Sequence, residues 1–213
     1  MNVHKLKEEQ LKLAKMVICR DEFDSVKTIG GVDQAYTSDG KIVSAIVVLD
    51  AKTMQPLDKK FAIKETKLPY IPGFLSYREA PVVIEAYEKL GRKPDILMVD
   101  GNGILHPRRV GLACHIGIAL DIPTIGIAKR LLLGRTEGNK IFVGNELRAV
   151  QVITKEFAKP IYVSPGHKVS IGSSIRITKE CLKGHKLPEP IAQAHKYANK
   201  IKKFHTEGTL EEK

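Results

Sequence analysis

Cysteine is scarce in this sequence, and long apolar runs are missing from it. The three cysteines, Cys19, Cys114 and Cys181, lie far apart and match no metal-ligand spacing, so we interpret them as core thiols in a reducing compartment. No apolar run approaches the length of a membrane span, and no charged-then-apolar leader opens the chain. We therefore expect a cytoplasmic protein without a membrane partner.

Acidic residues are outnumbered by basic ones, and three common catalytic motifs are absent. There are 24 aspartates and glutamates against 35 lysines and arginines, which gives a net charge of +11. This excess favours a polyanionic partner, although a merely solvated basic surface would have the same composition. No Walker loop, GxSxG or HExxH motif is present to support other chemistries.

The length of 213 residues suits a single domain. A chain of this length buries roughly 70% of its unfolded surface and needs no disulfide or metal to be stable. We expect one domain over residues 1–204. We expect the polar tail over residues 205–213 to be disordered.

One stretch, Pro94–Arg109, combines a buried strand with a glycine-rich turn. Four consecutive apolar residues, 96–99, are typical of a strand that is buried on both faces. The strand ends on Asp100, whose carboxylate either accepts amide hydrogens of the turn or binds a metal ion. Ligands bind outside the carboxyl ends of strands in open α/β sheets, which favours a functional role. We expect His106 to cap a helix with Pro107 at its first position.

Three antiparallel strands are predicted before this stretch. They cover Thr28–Tyr36, Lys41–Leu49 and Leu57–Lys64, and the first two are joined by a turn at Ser38–Gly40. Asp33 lies inside the first strand among apolar neighbours, where aspartate is uncommon. A structural aspartate there would need buried hydrogen-bond donors, whereas a metal ligand would not.

Two features lie between the third strand and the buried strand. Ser76–Glu79 matches a capping box, which would give Glu79 a structural role. Pro81 weakens this interpretation because it removes a helix hydrogen bond, so the helix either kinks or starts afresh and frees the glutamate. The preceding loop, Leu68–Phe74, is stiffened by two prolines. It is either a connector with its apolar side chains tucked inward or a wedge that enters a base stack.

A βαβ unit follows the buried strand. Val110–Leu120 is predicted as a buried helix, and Pro123–Ala128 as a second buried strand that leads into Lys129. The two strands of such a unit are parallel, so Asp100 and Lys129 should emerge at the same edge of the sheet. Lys129 then either extends its stem over apolar surface or holds a phosphate.

The C-terminal part contains a hairpin, an additional strand and two helices. The hairpin turns at Gly144–Asn145, Ile161–Val163 is predicted as an edge strand, and residues 164–167 are predicted as a loop. Ser170 can cap the first helix. The last helix carries His195 at the margin of its apolar stripe, where a histidine is usually a core neighbour.

This order predicts an α/β fold in which three antiparallel strands precede parallel strands, with helices on both sides of one mixed sheet. Such a sheet can place the first and fourth strands side by side, which brings Asp33 next to Asp100. Adjacent carboxylates repel unless a divalent cation lies between them, and aspartate oxygens with open water positions suit Mg²⁺ or Mn²⁺. In a basic protein this favours phosphodiester hydrolysis, in which metals activate water and stabilise the leaving oxygen.

Five segments match the pattern of a known family. They are GGVDQAY at 30–36, PYIPGFLSYREAP at 69–81, DILMVDGNGILHPRR at 95–109, IPTIGIAK at 122–129 and LPEP at 187–190. Over residues 5–204 the chain resembles endonuclease V. The resemblance implies a ribonuclease H-like fold and Mg²⁺-dependent nicking of nucleic acid at deaminated adenine, that is, deoxyinosine or inosine. It also implies cleavage of the second phosphodiester bond 3′ to the lesion, with 3′-hydroxyl and 5′-phosphate ends.

The resemblance also implies roles for the catalytic residues. Asp33 and Asp100 would be the metal ligands. Glu79 would complete the acidic set by orienting metal-bound water or a second ion. Lys129 would neutralise the scissile phosphate. His195 matches a position on the last helix that is not histidine in every member of the family.

A wedge and a base pocket are implied in the same way. The wedge that separates the strands would be PYIP, here Pro69, Tyr70, Ile71 and Pro72. The flipped base would enter a pocket lined by backbone near Gly73, Gly101 and Gly111, while His106 would support the DGNG turn. Flipping costs a few kcal/mol, least for a mispaired base.

The expected partner is DNA that contains deoxyinosine, and the expected form is a monomer. Three alternatives remain open at this stage: inosine-containing RNA, branched DNA, and a non-catalytic module that only binds nucleic acid. The acidic set of Asp33, Glu79 and Asp100 argues against the last of these.

Overall fold

The computed structural model describes residues 3–66 and 68–207. In this part of the chain, none of the helices combines the length and the apolar character that a membrane crossing requires. The elements in chain order are α1 (Val3–Met16), β1 (Thr28–Tyr36), β2 (Lys41–Asp50), β3 (Pro56–Glu65), α2 (Leu75–Glu88), β4 (Ile96–Asp100), α3 (Leu112–Leu120), β5 (Thr124–Ala128), β6 (Arg135–Glu137), β7 (Lys140–Val143), β8 (Glu146–Val152), β9 (Ile161–His167), α4 (Ile171–Glu180) and α5 (Glu189–Glu207). The predicted tail begins inside α5, and residues 208–213 lie outside the described residues.

The nine strands form one mixed sheet in the order β3-β2-β1-β4-β5-β9-β8-β7-β6. β1, β2 and β3 are antiparallel, β4 is parallel to β1, and β5 is parallel to β4. This arrangement confirms the predicted α/β fold with three antiparallel strands followed by parallel strands. It also confirms that the first and fourth strands are neighbours.

The two faces of the sheet are covered by different helices, which explains why the central strands are apolar on both sides. On one face, Ile29 of β1 packs in the same cluster as Ile191 of α5. On the other face, Val32 of β1 packs in the same cluster as Val83 of α2. β4 and β5 are buried almost throughout, as their continuous apolar runs predict.

The prediction for β9 was wrong in two respects. The strand lies in the interior of the sheet between β5 and β8, and residues 164–167 extend it instead of forming a loop. Pro165 lacks an N–H group and suggested a break, but it pairs opposite Ile125 just where the register between β5 and β9 shifts. Such an irregularity is one of the few places where a sheet accepts proline.

The segment after β4 does not start a helix at Pro107, contrary to the prediction. α3 begins at Leu112, and its N-cap is Gly111 instead of a residue near His106. Arg109 has a φ of 59°, a left-handed conformation that a continuous right-handed helix cannot contain. Residues 101–111 therefore form a compact loop at the carboxyl end of β4.

The capping box predicted at Ser76–Glu79 is not formed. α2 begins at Leu75, its N-cap is Phe74, and no side chain caps its first turn. Pro81 lies inside the helix, which continues through it to Glu88. Glu79 is therefore free of a capping role and lies on the buried side of α2.

Candidate active site

Two aspartates meet where β1 runs past the end of β4. In the parallel register Val32 pairs with Val99, so Asp33 and Asp100 are next along their strands. Asp33 is only 5% exposed, and its charge acts on the neighbouring carboxylate of Asp100. The imidazole of His195 on α5 contacts Asp33 from above the sheet, with Nδ1 2.5 Å from Oδ2. The structure thus brings together three residues that the sequence places far apart.

Lys129 lies beside the second aspartate. Asp100 pairs with Ile127 of β5, so Lys129, two residues after Ile127, lies just beyond Asp100 at the edge of the sheet. The lysine ammonium forms an ion pair with the Asp100 carboxylate. Burial and the nearby charge of Asp33 raise the pKa of Asp100 above its ordinary value, while Lys129 opposes this rise. Burial alone would lower the pKa of Lys129, but the charge and the hydrogen bond of Asp100 raise it.

Glu79 approaches the aspartates from α2 and is 4% exposed. The Tyr36 hydroxyl donates a hydrogen bond to its carboxylate. Burial, followed by the charges of Asp100 and Asp33, raises the pKa of Glu79 to about 7 even though the hydrogen bond from Tyr36 opposes the shift. Sequence reasoning missed Tyr36, because strand alternation places it on the face opposite to Asp33 and nothing local connects it to α2.

The donor set fits a hard divalent cation. Asp33 is buried and Asp100 is partly buried beside it, so the repulsion between the two carboxylates favours a cation between them. Carboxylate oxygens without thiolates suit Mg²⁺ or Mn²⁺, which keep several water ligands. Within residues 3–66 and 68–207, no three histidine, cysteine or acidic side chains form a ready-made metal cage. Two protein ligands supplemented by water are the set that this geometry offers.

A cavity of about 160 Å³ opens beside the carboxylates, between the loop after β3 and the loop after β4. Five of the predicted substrate residues line it, whereas Pro69, Ile71 and Pro72 do not. Tyr70 is 66% exposed at its rim, so its side chain is not tucked inward. The lining residues are Tyr70, Gly73, Leu75, Ser76, Gly101, Asn102, His106, Gly111, Leu112 and Leu132.

Close backbone approach explains the glycine at the inner wall of this cavity. A Cβ atom on Gly111 would lie 2.2 Å from the carbonyl oxygen of Asn102, which leaves room for glycine alone. Among the lining residues that sequence reasoning missed, Asn102 and Leu112 are direct neighbours of predicted glycines. Nothing in the sequence near Leu132 indicates that it lines the cavity, because it follows β5 and is distant in the chain from the predicted glycines.

The loop that carries Tyr70 is anchored at Gly73, which has a φ of 79°. The Gly73 carbonyl oxygen accepts hydrogen bonds from Gln10 Nε2 at 3.0 Å and from Arg108 Nη2 at 2.7 Å. His106 Nε2 lies 3.1 Å from the same oxygen. Sequence reasoning missed Gln10, because nothing in α1 indicates that this polar residue is fully buried.

His106 therefore supports the Tyr70 loop instead of the DGNG turn, contrary to the expectation. Its Nδ1 accepts a hydrogen bond from the Arg108 N–H at 3.3 Å, which leaves Nε2 as the donor to Gly73. Burial and then the positive charge of Arg108 lower the pKa of His106 to about 4. The DGNG turn is held by the bonds of Gly101 N–H to Ile127 O and of Gly103 N–H to Ser164 Oγ.

Comparisons with known proteins agree with this geometry. A sequence model of the endonuclease V family matches residues 11–196. Endonuclease V of Dictyoglomus thermophilum is 41% identical over 209 residues, covering 94% of this chain and 91% of the relative. The crystal structure of endonuclease V from Bacillus subtilis superposes with a TM-score of 0.90 at 31% identity, covering 98% of this chain and 95% of that one.

A third similar protein has been solved with nucleic acid. Endonuclease V of Ciona intestinalis was crystallised in complex with a 24mer DNA containing an inosine followed by a ribo-adenosine. It shares 29% identity and a TM-score of 0.84 with this chain, and the match covers 94% of this chain and 98% of that one. From the family match, the identity along nearly the whole chain and the shared fold, it follows that this chain belongs to the endonuclease V family.

Proposed function

We propose that this protein is a DNA repair endonuclease that recognises deoxyinosine in DNA. It hydrolyses the second phosphodiester bond 3′ to the lesion and leaves 3′-hydroxyl and 5′-phosphate ends. The observation that carries the proposal is the cavity whose wall includes Gly101, the residue after Asp100, next to the cluster of Asp33, Glu79 and Asp100. Exposed Tyr70 lies at its rim. Membership of the endonuclease V family and the relative bound to inosine-containing DNA support it.

The cavity is the proposed site for the flipped base. Its volume of about 160 Å³ suits a single purine, and its walls at Gly101, Asn102 and Gly111 offer backbone groups to the edge of a base. Tyr70 is the proposed wedge that fills the gap left in the duplex. The bonds to Gly73 hold this loop in place before the substrate arrives, which reduces the conformational entropy lost on binding.

The carboxylates supply the proposed chemistry. Asp33 and Asp100 would hold Mg²⁺, or alternatively Mn²⁺, which when bound activates water and stabilises the leaving oxygen. Lys129 neutralises the scissile phosphate, because its ammonium lies beside Asp100. Glu79, buried on α2 next to the two aspartates, orients the attacking water. His195 fixes the orientation of the Asp33 carboxylate.

A single chain supplies every one of these groups, so we propose that the protein acts as a monomer. The test is a nicking assay on an end-labelled duplex with one deoxyinosine, compared with the same duplex carrying deoxyadenosine, with and without Mg²⁺. We expect one product, cut at the second bond 3′ to the lesion, only with deoxyinosine and Mg²⁺. Binding without cleavage under these conditions would instead identify a non-catalytic binding module.

Inosine in RNA is a second candidate substrate. The observation in its favour is that the DNA bound by the Ciona relative carries a ribo-adenosine after the inosine. The same assay with an RNA strand that contains one inosine distinguishes the two candidates. Faster cleavage of RNA than of DNA would change the assignment to an endoribonuclease.

A further inference from the structure

A second cavity, of about 380 Å³, lies next to the base cavity and carries no role so far. It is lined by Tyr36, Tyr70, Leu75, Arg78 and Glu79. Tyr70 and Leu75 belong to both cavities, and Glu79 belongs to the acidic cluster. A strand whose base occupies the first cavity and whose scissile bond lies at the carboxylates therefore passes this second cavity.

Arg78 is the cation of this cavity, and it lacks a carboxylate partner. Its guanidinium lies over the ring of Tyr36, with Cζ 4.8 Å from the ring centroid. Its buried Nε has no hydrogen-bond partner, and no ion pair of Arg78 occurs within the part of the chain that the structure describes. By contrast, Arg109 and Arg148 are both paired with Glu146.

The surroundings of Arg78 are organised before any ligand binds. The cation–π contact with Tyr36 holds the guanidinium over the ring, and the Tyr36 hydroxyl is itself held by Glu79. A stacked guanidinium keeps its N–H edge free, and that edge matches two oxygens of a phosphate. Tyr36 is 36% exposed and Arg78 is partly buried, so an anion in the cavity can reach both side chains.

We propose that Arg78, stacked on Tyr36, forms a phosphate subsite for the inosine-containing strand, next to the scissile phosphodiester. This inference rests on the proposed function, because it assigns one contact of the same substrate. It gives the site two cations with separate tasks. Lys129 serves the scissile phosphate beside Asp100, and Arg78 positions a neighbouring phosphate in the second cavity.

The test neutralises the phosphates of the substrate one at a time. Duplexes with one deoxyinosine each carry a single methylphosphonate at one of the bonds around the lesion, and their dissociation constants are measured without divalent ions, so that no strand is cut. We expect Arg78→Gln to bind the unmodified duplex about tenfold more weakly than the native protein. Neutralising one particular phosphate, within two bonds of the lesion, should weaken binding by the native protein by a similar factor. The same neutralisation should leave the affinity of Arg78→Gln unchanged.

Two further variants separate a phosphate contact from a general charge effect. Arg92→Gln removes an exposed arginine at the opposite end of β4 and should bind every duplex as the native protein does. Arg78→Lys keeps the charge without the planar fork and should recover only part of the affinity. Thermal midpoints of all three variants are measured to exclude misfolding.

The proposal is overturned if Arg78→Gln and the native protein respond alike to every methylphosphonate, because a purely structural arginine would weaken all duplexes equally. Failure of the proposed function is a separate outcome. In that case the native protein itself would show neither a preference for the deoxyinosine duplex nor nicking of it in Mg²⁺.

Discussion

Tyr70→Ala is the most direct test of the wedge. The side chain is 66% exposed, so the fold depends on it only through the remaining third of its surface. Full burial of a large apolar side chain is worth about 1.5–3 kcal/mol, and a third of this is about 0.5–1 kcal/mol. For a protein of this size the thermal midpoint should therefore fall by only about 1–4 °C.

The effect on the substrate should be much larger than the effect on the fold. One base–aromatic contact contributes about 1–3 kcal/mol, which predicts a loss of roughly ten- to a hundredfold in binding and nicking of a deoxyinosine duplex. The loss should be smaller on a single-stranded substrate, because no duplex must be opened there. Binding constants, nicking rates on both substrates and the thermal midpoint are measured on the same preparation.

A second exposed aromatic residue provides the matched control. Phe157 is 98% exposed and lies away from both cavities, so Phe157→Ala should leave binding and nicking unchanged. Equal losses of Tyr70→Ala on single and double strands, together with a midpoint lowered by more than about 4 °C, would refute the wedge. Such a result would mean that Tyr70 supports the loop instead of the substrate.

Three further predictions concern the metal, the buried histidine and the charge. Asp100→Asn should abolish nicking but preserve binding of deoxyinosine DNA. Mg²⁺ at a concentration one hundred times its dissociation constant should raise the free energy of unfolding of the native protein by about 2.7 kcal/mol and leave that of the variant unchanged. An equal increase in both proteins would contradict the metal site. Because the pKa of His106 is lowered to about 4, its contribution to stability is complete above about pH 6.5 and decreases as the pH falls toward 4, by up to about 3 kcal/mol. Chemical unfolding across this range should show a weaker pH dependence for His106→Gln, and identical curves would exclude the buried neutral histidine. With a net charge of +11, affinity for DNA should fall steeply with salt, and an affinity that stays flat up to physiological salt would make the basic surface incidental.

The elements nearest to the site were predictable because their signals are local. Four consecutive apolar residues before Asp100 require burial on both faces, so the central strand and the position of its terminal carboxylate follow from residues 96–100 alone. The parallel direction of the two strands in a βαβ unit then places Lys129 at the same edge.

Other predictions failed where long-range pairing outweighed a local signal. Pro165 and Gly166 are typical of a loop, yet this segment pairs with β5 as the continuation of β9, and the register shift accommodates the proline. The Ser76–Glu79 pattern matches a capping box in the sequence, but α2 begins two residues earlier than that motif requires. In both cases the free energy gained from backbone hydrogen bonds and from burial is larger than a local preference of about 1 kcal/mol.

The sequence by itself determined the apolar strands, the carboxylates at and near their ends and the turn glycines, because each depends on residues that are adjacent in the chain. It also determined the excess of positive charge, which depends on composition alone. Only the tertiary structure decided which distant groups meet. His195 reaches Asp33 across 162 residues, and Gln10 reaches Gly73 across 63. The Tyr36–Glu79 bond requires α2 to cross one particular face of the sheet. Such contacts depend on the order of strands and on how helices pack over them, and local periodicity contains neither.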